Sequence, residues 1–210
     1  MNTIIFDFDG TLIDSSPEIM QAFRMVARNI IPEREYFIDK MIIGPTLIET
    51  AQLILNSKDN NKVNKFTKEF IKIYDNILAQ KTKTYSGVSQ TLLKLKKKSF
   101  KLSIVTNKRL VPTKKIVELY KWENIFDHII CSDSKGFVAS KSLNIKKLLD
   151  KDSFYLNSFL LGDTINDGIS ANENNLKFIR AKYGYGKNED WTKIKIYKDI
   201  NKFSDILDIV

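Results

Sequence analysis

Apolar and polar positions along this chain follow two different periods. Five short, nearly continuous apolar segments, Thr3 to Phe8, Lys101 to Val105, His128 to Cys131, Phe159 to Leu161 and Lys177 to Ala181, each end at a polar or small residue. The longer stretches between them repeat apolar residues every three or four positions. Runs of the first kind read as strands buried on both faces and the second spacing reads as one-sided helices, so the pattern predicts βα units on a parallel sheet. One interval breaks the alternation. Between the first two apolar segments, roughly Ser15 to Thr84, helical spacing recurs in three groups: Ile19, Met20, Phe23 and Val26; Leu47, Ile48, Ala51 and Leu55; Phe66, Phe70, Ile73 and Ile77. That interval predicts a helical insertion. Ser15-Ser16-Pro17-Glu18 at its head has capping-box spacing with a proline near the first turn.

Composition narrows the class. With 210 residues, 43% of them apolar, the chain has material for one core and a small insertion, and eight Gly with four Pro exclude low-complexity linkers. No apolar run approaches the ~20 residues that cross a bilayer. A carboxylate, Asp7, follows too early for a signal peptide. A cytoplasmic protein without a membrane partner is expected, and the single cysteine, Cys131, agrees with a reducing compartment. Subtracting 25 acidic from 34 basic side chains leaves +9, which suits an anionic partner. The lysine run Lys94, Lys96, Lys97, Lys98 and Lys101 carries no interleaved aromatics and no arginine fork. It reads as a solvated helix face, and nucleic acid is not the expected partner.

Three strand ends carry the candidate chemistry. The first segment runs into Asp7-Phe8-Asp9-Gly10-Thr11, two carboxylates on alternate residues where open α/β sheets build their sites. The same residues also read as a plain Asp-Gly turn, whereas a calcium loop fails because its sixth position is Leu12 rather than glycine. The second segment ends in Thr106-Asn107, hydrogen-bond donors for an anionic oxygen or ordinary turn residues. The fourth leads into Gly162-Asp163-Thr164-Ile165-Asn166-Asp167, whose acids either converge on one site or complement a helix N-terminus. The one histidine, His128, opens an apolar segment and reads as structural.

In this order the motifs resemble the haloacid dehalogenase superfamily of phosphohydrolases over nearly the whole chain. Tyr85-Ser86-Gly87-Val88, Thr106-Asn107-Lys108 and Gly184-Tyr185-Gly186 look most like its phosphoglycolate phosphatase group. The resemblance implies a doubly wound parallel five-stranded sheet, order 3-2-1-4-5, with residues 1–14 and 85–210 as an α/β core and 15–84 as a small helical cap. It implies a Mg²⁺-dependent phosphatase acting on a small phosphorylated metabolite. Asp7 would be the nucleophile and Asp9 the general acid and base. Asp7, Asp163, Asp167 and the Asp9 carbonyl would hold the metal, and the Gly10 amide, Thr106, Asn107 and Lys141 the phosphoryl oxygens. Gly44, in Gly44-Pro45-Thr46, would be a cap contact to substrate. Two features depart from the group's pattern: Lys141-Ser142-Leu143-Asn144 lacks the usual prolines, leaving Lys135 as a second candidate lysine, and Arg180 replaces a small residue in the last strand. A phosphomutase of the same fold is the alternative activity, and a non-catalytic nucleic-acid module is the weaker one. A monomer and a homodimer fit equally well.

Overall fold

The computed structural model describes residues 3–41, 43–136, 140–151 and 158–210. Its centre is β1 (Thr3–Phe6), a strand with every residue buried. Side chains alternate across it: Ile4 and Phe6 join one apolar cluster and Ile5 the other, as a strand covered on both faces requires. β1 pairs in parallel with β4 (Lys101–Val105) on one side and β6 (Phe159–Gly162) on the other. β5 (His128–Ile130) lies beyond β4, and β7 (Lys177–Ala181) beyond β6.

The expected five-strand order therefore holds, and a sixth strand, β8 (Lys198–Ile200), extends the sheet past β7. This corrects the five-strand expectation. Of its three residues only Ile200 is buried, so it leaves no apolar run to read. Arg180 in β7 answers to this edge: its guanidinium forks onto Asp199 at 2.7 and 2.8 Å and lies 4.9 Å from the Trp191 ring centre.

Helices α4 (Val88–Lys97), α5 (Leu110–Leu119), α6 (Lys141–Lys151) and α7 (Ile165–Glu173) connect the parallel strands. The lysine run ends α4, where cations complement the helix dipole, and Lys96 pairs with Asp127. Chain direction across the sheet reverses at β1, where β4 and β6 flank it. The carboxyl ends of β1, β4 and β6 therefore border the crevice at the topological switch point. His128 lies at the other end of its strand, opposite Ser103.

The insertion leaves and rejoins the core through a two-residue antiparallel ribbon, β2 (Ile13–Asp14) against β3 (Lys83–Thr84). Between them run α1 (Ser16–Ile30), a 3₁₀ stretch over Pro32–Lys40, α2 (Leu47–Leu55) and α3 (Asn60–Ile73). Phe23 of α1 stacks among Phe66 and Phe70 of α3, with ring centres 6.2 and 4.2 Å away. Two expected core residues are exposed. Ile48 lies opposite the buried Thr50, Ala51 and Ile54 face of α2. Ile77 is turned out by a π turn over Tyr74–Leu78, which shifts the helical register and buries Tyr74 and Leu78 instead.

The capping box expected at Ser15 is absent. Ser15 is the N-cap of α1, but its hydroxyl donates to Asp9, while Ser16 Oγ donates to Asp14 Oδ1 at 2.7 Å. The head of the insertion is thus tied to the first strand end rather than to its own helix. A capping box does form where none was expected, at Thr46 and Glu49 of α2.

Candidate active site

Asp7 is the first residue past β1, and its amide donates to the Leu161 carbonyl at 2.9 Å, which fixes it at the sheet edge beside β6. Its carboxylate is 7% exposed and lies 2.8 Å from Lys141 Nζ. Lys141 opens α6, is 2% exposed, and also donates to Asp167 Oδ1 at 2.5 Å. The other candidate, Lys135, is exposed.

Asp163 follows β6 directly. Thr11 Oγ1 donates to its Oδ1 at 2.9 Å and the Tyr185 amide to its Oδ2 at 2.7 Å. Asp167 sits in the first turn of α7, where its Oδ2 accepts from the Thr164 amide at 2.9 Å and the Thr164 hydroxyl at 2.7 Å. Asp167 therefore fulfils both readings of its spacing: it caps α7, and it belongs to a cluster in which carboxylate oxygens of Asp7, Asp163 and Asp167 lie within 4.8 Å of one another.

Three buried carboxylates against one ammonium leave the cluster short of positive charge. Burial pushes the Asp7 carboxyl up to about 7, with Asp167 adding to the rise and Lys141 opposing it. Burial likewise raises Asp163 well above the ordinary carboxyl range, with Asp167 and Asp7 reinforcing it. Burial alone would depress the Lys141 ammonium, but Asp167 and Asp7 hold it above its usual range.

Gly10 makes the convergence possible. Its φ of +82° is left-handed, and a Cβ there would collide with the Asp163 carboxylate. The expectation for its amide is corrected, because that amide donates to Ile13 O at 2.8 Å and so closes the turn. Gly10→Ala is expected to destabilise the fold by at least ~1 kcal/mol, from the backbone conformation alone, and to lower kcat as Asp163 is displaced. Thermal unfolding and turnover measured on the same variant check both effects.

Thr106 Oγ1 accepts from the Lys108 amide at 3.1 Å, which leaves its hydroxyl proton available. Asn107 Nδ2 donates to the Gly44 carbonyl at 2.8 Å, so the side chain expected on phosphate also pins the insertion's loop to the core. Asp9 turns away from the acidic cluster: its Oδ1 accepts from Lys108 Nζ at 2.8 Å and from the Ser15 hydroxyl. Lys108 Nζ donates as well to Tyr74 Oη at 2.7 Å. Burial would lower this ammonium, but Asp9 and Tyr74 hold it above its ordinary range.

Two spaces meet at Gly44, Pro45 and Asn107. A small cavity of about 70 Å³ holds Asp7, Asp9, Thr106 and Lys108, and a wide cleft of about 1120 Å³ holds Lys141, Thr164 and Asn166.

The sequence profile of the haloacid dehalogenase-like hydrolases matches residues 4–181. The chain belongs to this hydrolase family. Among curated members it is 27% identical to a phosphoglycolate phosphatase of Psychrobacter arcticus, over 98% of this chain and 94% of that one. It is 25% identical to the pyrophosphatase PpaX of Bacillus cereus, over 100% and 96%. The solved structure of a predicted phosphatase from Clostridium acetobutylicum superposes with a TM-score of 0.84 at 25% identity, covering 99% of this chain and 97% of that one. Among the described residues of this haloacid dehalogenase-like hydrolase, no helix is long and apolar enough to cross a membrane.

Sequence reasoning left three contributors to this family member's site unassigned. Lys108 and Tyr185 lie within Thr106-Asn107-Lys108 and Gly184-Tyr185-Gly186, motifs that by themselves give neither residue a role. Tyr185 bonds Asp163 through its amide, and its hydroxyl accepts from the Ser15 amide at 2.9 Å. Ser15 read as a helix cap because its spacing to Glu18 is a local signal, whereas its bond to Asp9 is a tertiary one.

Proposed function

We propose that the chain is a phosphomonoesterase that hydrolyses a small phosphorylated metabolite, using Asp7 as nucleophile. The observation that carries this reading is the seating of Asp7 between Lys141 and the paired carboxylates of Asp163 and Asp167. A carboxylate there can attack phosphorus, forming an aspartyl-phosphate as the ester oxygen leaves, and water then regenerates it. Lys141 and the Thr106 hydroxyl are suited to neutralise and orient the phosphoryl oxygens. Asp9, on the cavity side, would protonate the leaving oxygen and later take a proton from the attacking water. Residues 15–84 would act as a cap over a core of 1–14 and 85–210, with the Gly44 loop meeting the substrate and excluding water.

The acidic cluster fits Mg²⁺. Its donors are hard carboxylate oxygens with no Cys or His among them, and burial, reinforced by the carboxylates' charge on one another, lifts Asp7 and Asp163. Asp7, Asp163, Asp167 and the Asp9 carbonyl would hold the ion. When bound, it would neutralise the charge that otherwise sets a carboxylate against an anionic ester. A cytoplasmic setting agrees with the free, buried Cys131 thiol.

Release of inorganic phosphate from a panel of sugar phosphates, phosphoglycolate and nucleotides, with Mg²⁺ and with chelator, tests the reading. Metal-dependent release is expected, whereas interconversion of phosphate esters without net release would instead mark a mutase. Mg²⁺ at about 100 times its Kd is expected to stabilise the protein by ~2.7 kcal/mol, or about 5–10 °C in Tm. Scanning calorimetry with and without chelator measures that shift.

A further inference from the structure

Resting on the phosphatase reading, the small cavity is where the leaving portion of the substrate meets the protein, because Asp7, Asp9 and Thr106 all line it. Asp9 must touch the leaving oxygen, and Asp9 lines the small cavity rather than the wide cleft. The leaving portion therefore occupies the small cavity, which admits only a compact group. Its walls are mostly apolar, with Ile19, Phe23, Met41, Phe70 and Pro112 among them, yet two cations stand at its edge.

The two cations differ in what already holds them. Arg109 is paired with the buried Asp75 carboxylate at the joint between α5 and the π turn, where Lys115 Nζ also donates to the Asp75 backbone carbonyl at 2.7 Å. Lys108 is 5% exposed, and its Nζ has two acceptors, Asp9 Oδ1 and Tyr74 Oη. Among the described residues, this leaves one of its three N–H donors over. An ammonium with a spare donor inside apolar walls, where water screens little, attracts anions strongly and offers neutral groups far less.

We propose that Lys108 recognises a second anionic group, a carboxylate or a phosphoryl, on the leaving portion of the substrate. A compact acid or a phosphate attached to the transferred phosphoryl group fits both the cavity and the cation. Lys108 is then a specificity residue as well as a partner of Asp9. The two roles are separable, because holding Asp9 affects every substrate alike whereas reading an anion affects only substrates that carry one.

The test compares kcat/KM for three small esters: phosphoglycolate, pyrophosphate and the neutral hydroxyethyl phosphate. The wild-type chain is expected to prefer at least one anionic substrate over hydroxyethyl phosphate on the order of 10- to 100-fold, the usual worth of a hydrogen bond between charged groups. Lys108→Met is expected to lower all three rates through Asp9 and also to shrink that preference to about threefold or less, while Lys108→Arg keeps most of it. A preference confined to phosphoglycolate identifies the group as a carboxylate, and one confined to pyrophosphate as a phosphoryl. Equal wild-type efficiency on the neutral ester overturns the proposal even if Lys108→Met does not fold. So does a Lys108→Met preference that survives intact. A wild-type chain that releases phosphate from no ester, p-nitrophenyl phosphate included, overturns the phosphatase reading and this proposal with it.

Discussion

Asp7→Asn protein is expected to lose at least about four orders of magnitude in kcat, and yet to unfold at a temperature no lower than the unaltered chain. The first effect follows from removing the atom that would accept phosphorus: an amide is a poor nucleophile, and the neighbouring donors alone supply only a residue of the rate. The second follows from the charge count of the cluster. Asp7, Asp163 and Asp167 face one lysine, so a neutral isostere at position 7 relieves repulsion while Lys141 keeps Asp167 as partner.

The pH dependence gives this prediction a sign. Asp7 is raised in the fold from 3.8 to about 7, so its contribution to stability is full below pH 3.8, where it is protonated in both states, and is lost as pH rises through about 7. In metal-free protein the Tm advantage of Asp7→Asn over wild type should therefore grow from about pH 4 to about pH 8. Mg²⁺ should narrow that gap by stabilising wild type more than the variant. Melting curves of both proteins across this range, with chelator and with Mg²⁺, check it; an advantage that shrinks with rising pH contradicts it.

Lys141→Met carries the opposite stability sign. It leaves three buried carboxylates with no ammonium among them, and breaking a buried pair from one side costs about 3–5 kcal/mol, or roughly 6–20 °C in a chain of this size. Activity should fall as well, because the compact charge proposed to neutralise the phosphoryl oxygens is gone. Mg²⁺ should recover part of the stability and little of the activity. Thermal unfolding of the variant beside Asp7→Asn reads the contrast directly: two substitutions on one ion pair, one tolerated by the fold and one not. Equal destabilisation by both would mean that the cluster is not short of positive charge.

These residues were legible in the sequence because their signals are local. Asp7, Thr106 and Asp163 each follow an apolar run that had to be a buried strand, and parallel strands with their carboxyl ends at one edge bring such residues together. Asp167 was legible through its spacing from Asp163, and Lys141 through the lysine surviving where the prolines did not. What escaped reading was tertiary in origin. The sheet's sixth strand has one buried residue, too little to form a pattern. Ile77 kept helical spacing in sequence, but the π turn rotated it into solvent. Gly10 looked like an amide donor, whereas its conformation and its nearness to Asp163 are what its position uses. Ser15, Lys108 and Tyr74 lie far apart along the chain and meet only through the folding of the insertion onto the core; no spacing rule links them.

Rapid quench of the Mg²⁺-loaded enzyme during turnover, followed by borohydride reduction and peptide sequencing by mass spectrometry, tests the nucleophile itself. An acyl-phosphate at position 7 is reduced to homoserine, so the expected result is homoserine in place of Asp7 in substrate-treated protein and unmodified Asp7 without substrate. Unmodified Asp7 in protein actively releasing phosphate, with the reduced residue found at another carboxylate, would contradict the account.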